Sequence, residues 1–156
     1  MDIKRFWHSI RLYSMFNSRK RGDYVREHHL FAHCGQNVRL PQMLLPLHSE
    51  KITIHDNVEI ASGVKFVVHD AIHGVLNAKY QTNEFKESIG PIEIGSNVFI
   101  GANTLILGNV KIGSDVVVGA CSLINKDLPD GGVYGGIPAK RLGDFETLAE
   151  KRRLLK

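Results

Sequence analysis

The sequence predicts an all-β protein built as a parallel β-helix, and three features of one repeat predict it. Aliphatic residues recur every six positions, at Ile94, Ile100, Ile106, Ile112, Val118 and Ile124. Four positions after most of them stands a second small or branched residue, and glycine directly follows four of them. A period of six fits neither a helix nor a simple strand. It indicates short strands joined by tight corners and stacked along one axis, with the aliphatic side chains inside.

The glycines of the repeat are predicted to relieve crowding at the corners or to permit an unusual φ there. The same spacing is kept upstream at Ile54, Ile60 and Phe66. Residues 34–40 look like the same unit shifted in frame. The interval from Phe66 to Ile94 is 28 residues, which is not a multiple of six, so residues 68–91 are predicted to be an insertion. Insertions in repeat proteins form loops on one face, often the binding face, and this one contains His69, Asp70 and His73.

Helical segments are predicted at both ends of the β-helix, whose open ends would otherwise expose apolar side chains and unpaired strand edges. The N-terminal helix has one apolar face, formed by Ile3, Phe6, Trp7, Ile10 and Tyr13. A second short helix is expected at about residues 22–30, and Asp144 can cap a final helix that reaches about Leu155. The predicted organisation is therefore an N-terminal cap (1–33), the β-helix (34–142) and a C-terminal helix (143–156).

Composition indicates one globular domain without a membrane-spanning segment. The chain has 156 residues, 43% of them hydrophobic and 23% charged. It contains no run of 18 apolar residues, and its N-terminus lacks the apolar core of a secretory signal. Its two cysteines, Cys34 and Cys121, are expected to be reduced thiols. These features predict a cytoplasmic location.

Charge is distributed unevenly along the chain. Residues 1–26 hold seven basic and two acidic residues, and residues 140–156 hold six basic and three acidic residues. The basic residues are not interleaved with aromatics on a nucleic-acid-binding module, so no nucleic-acid partner is predicted. Two alternatives stay open for the basic N-terminal helix: packing on the β-helix or on a neighbouring subunit, and peripheral contact with a membrane.

Two stretches carry a family resemblance. The repeats from Ile94 to Ile124, followed by Asn-Lys-Asp-Leu-Pro, and the later Gly-Gly-Ile-Pro-Ala-Lys-Arg of residues 135–141 resemble the hexapeptide-repeat acyltransferases, above all the maltose/galactoside and polysaccharide O-acetyltransferases. The resemblance covers residues 34–142. It implies a left-handed parallel β-helix, a hand that the general preference for right-handed crossovers would not predict.

The resemblance also implies the chemistry, which is acetyl transfer from acetyl-coenzyme A to a hydroxyl group without a metal. Such a transfer needs a general base, and imidazole is suited to that role near neutral pH. His69 matches the catalytic histidine of the family, and Asp70 could orient or support it. His73 is the alternative base and, with Phe99, a candidate for substrate binding. The other six histidines, including His48 and His55, are interpreted as structural.

Further positions match the family's binding site for the acyl donor. Small side chains at Ala102 and Ala120 would let the pantetheine arm approach the backbone. Asn125 and Lys126 match a pair near the adenine or phosphate end, and Lys140 and Arg141 could also pair with phosphate. Because the family places this donor in a groove between two prisms, the resemblance implies a homotrimer.

The acceptor is not identified by the resemblance. The family's acceptor-binding residues come from the region before the first clear repeats, and here residues 40–47 are apolar and out of frame. This departure favours a polysaccharide precursor, a lipid-linked sugar or another hydroxyl over a free disaccharide. N-acetyl transfer to an amino sugar and serine acetyl transfer are alternatives, and so, with less support, are a γ-type carbonic anhydrase and a non-catalytic scaffold.

Overall fold

The structure, a computed structural model, describes residues 3–155. Met1, Asp2 and Lys156, which end the predicted terminal caps, lie outside the described residues. Four α-helices are found in the described range: α1 (Ile3–Tyr13), α2 (Ser18–Glu27), α3 (Ile72–Tyr80) and α4 (Phe145–Arg153). A 3-10 helix spans Ser49–Lys51. No helix within residues 3–155 combines the length and the apolar character needed to cross a bilayer.

The described chain contains fourteen short strands. They are β1 (His33–Cys34), β2 (Ile52–Ile54), β3 (Val58–Ile60), β4 (Lys65–Val67), β5 (His69–Asp70), β6 (Ser88–Ile89), β7 (Ile92–Ile94), β8 (Val98–Ile100), β9 (Leu105–Leu107), β10 (Val110–Ile112), β11 (Val116–Val118), β12 (Leu123–Ile124), β13 (Gly132–Gly135) and β14 (Lys140–Asp144). Their regular spacing in the second half of the chain follows the six-residue repeat.

Twelve of the strands form three stacked sheets whose pairings are parallel, as a parallel β-helix requires, except for β14, which is antiparallel to β13. The sheet orders are β1-β2-β7-β10, β14-β13-β11-β8-β3 and β12-β9-β4. Val110 pairs with Ile92, Val116 with Val98 and Leu123 with Leu105. Each pair is 18 residues apart, so one full turn of the coil contains three six-residue repeats. The predicted parallel β-helix is confirmed.

The core is the column of side chains that the repeat points inward. The aliphatic residues at 94, 100, 106, 112, 118 and 124 are all fully buried. The second position of the repeat is also buried, including the polar side chains of Thr104 and Ser122. Those two hydroxyls both donate to the carbonyl of Gly119, so the polar groups inside the coil are satisfied.

Most of the glycines that directly follow the inward aliphatic residues serve close packing, whereas Gly63, at another corner of the coil, has a positive φ of 77°. A Cβ on Gly101 would lie 2.4 Å from the backbone nitrogen of Ala120, so the glycine is required by close packing of successive turns. The positive φ angles instead fall mainly on asparagine, for example Asn97 with φ 59°. At one corner Asn37, Asn57 and Asn97 form a hydrogen-bonded ladder that ends on Asp115.

The N-terminal helices cover one end of the coil. Helix α2 begins earlier than the expected residue 22, because the Asn17 side chain caps it by accepting from the backbone N–H groups of residues 19 and 20. Leu12, Val25 and Phe31 continue the hydrophobic core beyond the first turn. The apolar face of α1, however, is turned to the outside.

At the other end, the chain folds back in a hairpin that the sequence analysis does not predict. Strand β14 pairs antiparallel with β13, and α4 follows it. Asp144 occupies the N-cap position of α4 but makes no side-chain cap hydrogen bond there, because its carboxylate accepts from Arg141 at 2.6 Å. The predicted helix is therefore present, and the predicted capping bond is wrong.

Both cysteines are free thiols. Burial raises the pKa of the Cys34 thiol to about 11, which keeps it protonated. Cys121 lies exposed at a corner of the coil with a positive φ.

Candidate active site

The insertion leaves the coil between β4 and β7. Ile92 pairs with Ile52, which is 40 residues away; subtracting one turn of 18 leaves 22 extra residues. The base of the insertion is an antiparallel pair in which His69 lies opposite Ile89 and Asp70 opposite Ser88. Helix α3 forms its outer part. This short ladder fixes His69 at the junction between the regular coil and the insertion.

His69 has a carboxylate on one side and an unpartnered nitrogen on the other. Its side chain is 31% exposed, and its Nε2 lies 4.0 Å from an oxygen of Glu87. Its Nδ1 is buried and has no hydrogen-bond partner within the described residues. Glu87 directly precedes β6, so the same hairpin positions both groups. Glu87 is not among the residues to which the repeat or the family resemblance points.

His48, interpreted from the sequence as structural, contacts this pair. Its ring meets the ring of His69 edge-on, with the centroids 5.3 Å apart. Its Nε2 lies 3.5 Å from Glu87, and its Nδ1 lies 3.4 Å from Glu50. His48 has a left-handed backbone conformation, φ 53°, in an irregular segment far from the insertion in sequence. No periodic signal could have assigned it to the site.

A cleft of 210 Å³ opens beside His69. It lies between the base of the insertion and the third sheet, and it is lined by Val67, Val68, His69, Asp70, Ser88, Gly90, Leu107, Gly108 and Asn109. The Ser88 hydroxyl and the Asn109 amide are the uncharged side-chain hydrogen-bond donors in this lining. The cleft is thus large enough for a small polar group next to an imidazole.

The two other polar candidates of the insertion have different positions. Asp70 lines the cleft, but its carboxylate accepts from the backbone N–H of Ile72 at 2.9 Å, at the start of α3. His73 lies within α3, half-buried, and its Nδ1 has no hydrogen-bond partner in the part of the chain described. The carboxylate beside the His69 imidazole is therefore that of Glu87.

The positions matched to the acyl donor lie on the coil. Ala102 and Ala120 occupy the same corner on successive turns, and the carbonyl of Ala102 accepts from the N–H of Cys121. Asn125 and Lys126 follow β12 and are exposed.

The remaining candidates lie on other elements. Phe99 is in β8, 45% exposed, and faces a shallow apolar groove of 340 Å³ between the second sheet and α4. Within one chain it lies on a different sheet from the His69 cleft. Lys140 and Arg141 are exposed in β14. Arg141 is held by Asp144 and lies over the ring of Tyr134.

Together His48, His69 and Glu87 form a compact cluster of proton-accepting groups. One nitrogen or oxygen atom from each lies within 4.8 Å of the others. An imidazole beside a carboxylate is suited to take a proton from a hydroxyl group. Two imidazoles and one carboxylate are also a known ligand set for zinc.

Sequence comparisons relate the coil to known proteins. Residues 91–126 match the profile of the family described as bacterial transferase hexapeptide (six repeats). The chain is 46% identical over 101 residues to protein CapG of Staphylococcus aureus. This match covers 64% of the chain and 56% of CapG, so the chain spans little more than half of that relative.

Solved structures extend the similarity to the whole coil. A maltose O-acetyltransferase from Clostridium difficile 630 has a TM-score of 0.63 and 28% identity, covering 91% of this chain and 87% of that protein. A galactoside acetyltransferase in complex with coenzyme A has a TM-score of 0.71 and 24% identity, covering 95% and 82% of the two chains. At that identity, the second similarity concerns the fold alone.

Proposed function

Since this chain belongs to the hexapeptide-repeat transferase family, we propose that it moves an acetyl group from acetyl-coenzyme A to a hydroxyl group of a sugar or polysaccharide precursor. The maltose O-acetyltransferase similarity supports the acceptor class, and acetyl-coenzyme A is the donor that the resemblance to the hexapeptide-repeat acyltransferases implies. The proposed activity belongs to residues 34–142, with the insertion at 68–91 as the catalytic part.

One observation carries the proposal: His69 lies beside both a cleft and the Glu87 carboxylate. In the proposed mechanism His69 takes the proton of the acceptor hydroxyl as the oxygen attacks the thioester carbonyl. The carbon–sulfur bond then breaks, and His69 returns the proton to the departing thiolate. Neither a metal nor a covalent enzyme intermediate is needed.

Other groups of the site have supporting roles in this mechanism. Glu87 holds the imidazole in orientation and stabilises the imidazolium, and His48 packs against the same ring. Ser88 and Asn109 line the cleft and are the candidate donors to the developing oxyanion. Asp70 acts by accepting from the backbone N–H of Ile72 at the start of α3 rather than through direct contact with His69, and His73 is the alternative base.

The donor would lie along the corner that contains Ala102 and Ala120, where small side chains leave the backbone accessible. Lys126 and Lys140 are exposed and could reach a phosphate, with Asn125 beside them. Arg141 would have to leave Asp144 to do so. Phe99 lies on a different sheet from the His69 cleft of the same chain. It could therefore line that cleft only from a second subunit. A left-handed coil, a homotrimer and a cytoplasmic location are parts of this proposal.

A second candidate is favoured by the same cluster. Three potential ligands from His48, His69 and Glu87 lie within 4.8 Å of one another, and three protein ligands with an open position are typical of catalytic zinc. A zinc-dependent activity would need the metal, whereas the proposed acetyl transfer would be inhibited by it, because zinc would occupy the base. Activity measured after chelation with EDTA therefore separates the two.

The decisive experiment measures thiol release from acetyl-coenzyme A with a panel of sugar acceptors, for the wild type, His69→Ala and His55→Ala. His69→Ala should lower kcat by roughly 10²–10⁴. His55→Ala, on the regular coil, should keep wild-type activity. Thermal stabilisation by acetyl-coenzyme A should be unchanged in both variants. A His69→Ala enzyme with near wild-type turnover would refute the base assignment and direct attention to His73.

A further inference from the structure

Helix α1 is attached to the rest of the protein by one face only. On that face Leu12 is buried, the Arg5 Nε donates to the carbonyl of Leu45, and Ser9 accepts from the Leu45 N–H. His8 Nδ1 lies 2.9 Å from the hydroxyl of Tyr24. These four residues, at positions 5, 8, 9 and 12, share one side of the helix.

The opposite side of α1 is apolar and unpartnered within the described chain. Trp7 is 63% exposed and Tyr13 is 70% exposed, and Phe16, just beyond the helix, is fully exposed. Ile3, Phe6 and Ile10 lie between them on the same side and are also exposed. An amphipathic helix normally buries its apolar side, so this reversed arrangement points to an external partner.

The charge of the segment identifies the partner. Residues 3–22 contain six basic residues and no acidic residue. Of these, Lys4, Arg11 and Lys20 are exposed, whereas Arg21 is buried. A second copy docking through the same surface would bring two such basic segments together, which like-charge repulsion opposes. An anionic partner is favoured, and a wide apolar face with aromatic residues and basic flanks fits a lipid surface.

We propose that the outward face of α1 binds the surface of a bilayer that contains anionic lipids. Trp7 and its apolar neighbours enter the boundary between headgroups and acyl chains, while Lys4 and Arg11 meet the lipid phosphates. Helix α1 is fastened to the segment that ends in Leu47, itself exposed, and the next residue is His48, which contacts His69. A surface groove lined by Lys4, Leu47 and His48 lies between α1 and the His69 cluster. This inference does not depend on acetyl transfer.

The chain offers a direct readout, since Trp7 is its single tryptophan. Vesicles of phosphatidylcholine alone and of phosphatidylcholine with phosphatidylglycerol are titrated while tryptophan emission and co-sedimentation are recorded. The anionic vesicles should shift the emission to the blue and bind the protein, and added salt should weaken the binding. Arg11→Glu should reduce partitioning by roughly fivefold or more.

The matched control uses two exposed aromatic residues. Trp7→Asp, followed by co-sedimentation, should lower vesicle binding by roughly tenfold or more. Tyr80→Asp, on α3 and 57% exposed, should leave it unchanged. Absence of binding to the anionic vesicles, or equal losses in both variants, would overturn the proposal. So would a fall in the light-scattering mass of Trp7→Asp without vesicle binding by the wild type, since the face would then join copies of the chain.

Discussion

Two histidine–glutamate pairs of this protein have similar local geometry and very different surroundings. His55 lies 3.5 Å from Glu93 on the outside of the regular coil, and His69 lies 4.0 Å from Glu87 at the base of the insertion. The first glutamate is also bound by Lys111 at 3.1 Å, one turn further along the coil. The second is shared with His48, beside a cleft.

The surroundings of the two pairs differ because one lies on the regular coil and the other at the base of the insertion. The coil repeats its contacts at every turn, and the His55–Glu93 pair lies on its exposed outer surface. The insertion interrupts the repeat and brings residues from distant parts of the chain against its base. A histidine next to a carboxylate thus becomes a candidate for catalysis only where the repeat is broken.

The largest effect on stability is expected from the coil interior. Ile112 is fully buried in β10, so Ile112→Ala should lower the free energy of unfolding by about 2–5 kcal/mol. Val75, in α3 of the insertion, is 70% exposed, and Val75→Ala should change it by less than about 0.5 kcal/mol. Urea denaturation measures both. Equal losses would show that the insertion is as tightly packed as the coil.

Replacing two glycines by alanine should change the free energy of unfolding in opposite directions. The Cβ introduced by Gly101→Ala would lie 2.4 Å from the backbone of Ala120, and the overpacking should cost about 1–3 kcal/mol. Gly74, in α3, has no atom within 4 Å of the same position, so Gly74→Ala should stabilise the protein by about 0.5–1 kcal/mol. The melting temperatures of the two variants test the opposite signs, and a destabilised Gly74→Ala would contradict this view of α3.

Removing the charge of Glu87 should lower activity, whereas removing the charge of Glu93 should not. Glu87→Gln should lower kcat by roughly tenfold or more while leaving KM for acetyl-coenzyme A unchanged, because the carboxylate orients His69 and stabilises its charged form. Glu93→Gln should leave both constants at their wild-type values. Steady-state kinetics on the two variants, folded to the same extent by circular dichroism, makes the comparison. Similar activity losses would remove the distinction between the two pairs.

The smallest effect concerns acid stability. The hydrogen bond from Lys111, with a smaller contribution from His55, lowers the pKa of Glu93. A pKa that is lower in the folded state adds stability above the unfolded-state value and loses it as the pH falls through the folded-state value. Because the pair is largely exposed, Lys111→Ala should cost no more than about 0.5 kcal/mol at neutral pH. That difference should shrink in urea titrations as the pH falls through the folded-state pKa of Glu93, and its persistence once the carboxyl is protonated would contradict the ion-pair explanation.

Much of the coil could be predicted because each of its strands is determined by residues close to it in the sequence. Residues 94–124 place one aliphatic side chain inward at every sixth position, and no contact beyond the next turn is needed to fix those strands. Which role each glycine plays could not be predicted, since crowding at Gly101 depends on the position of Ala120 one turn later. Most of the corner residues with a positive φ are asparagines, because the short polar side chain tolerates that conformation and bonds to the neighbouring turn.

The sequence by itself determined the parallel β-helix, the position of the insertion and the resemblance that points to His69. Only the tertiary structure decided that Glu87 and His48 meet His69, that β14 folds back on β13, and that the apolar face of α1 is turned outward. The physical reason is range: a repeat specifies contacts between residues a fixed 18 positions apart. Contacts between irregular segments, such as that between His48 and His69, depend on the path of the whole chain.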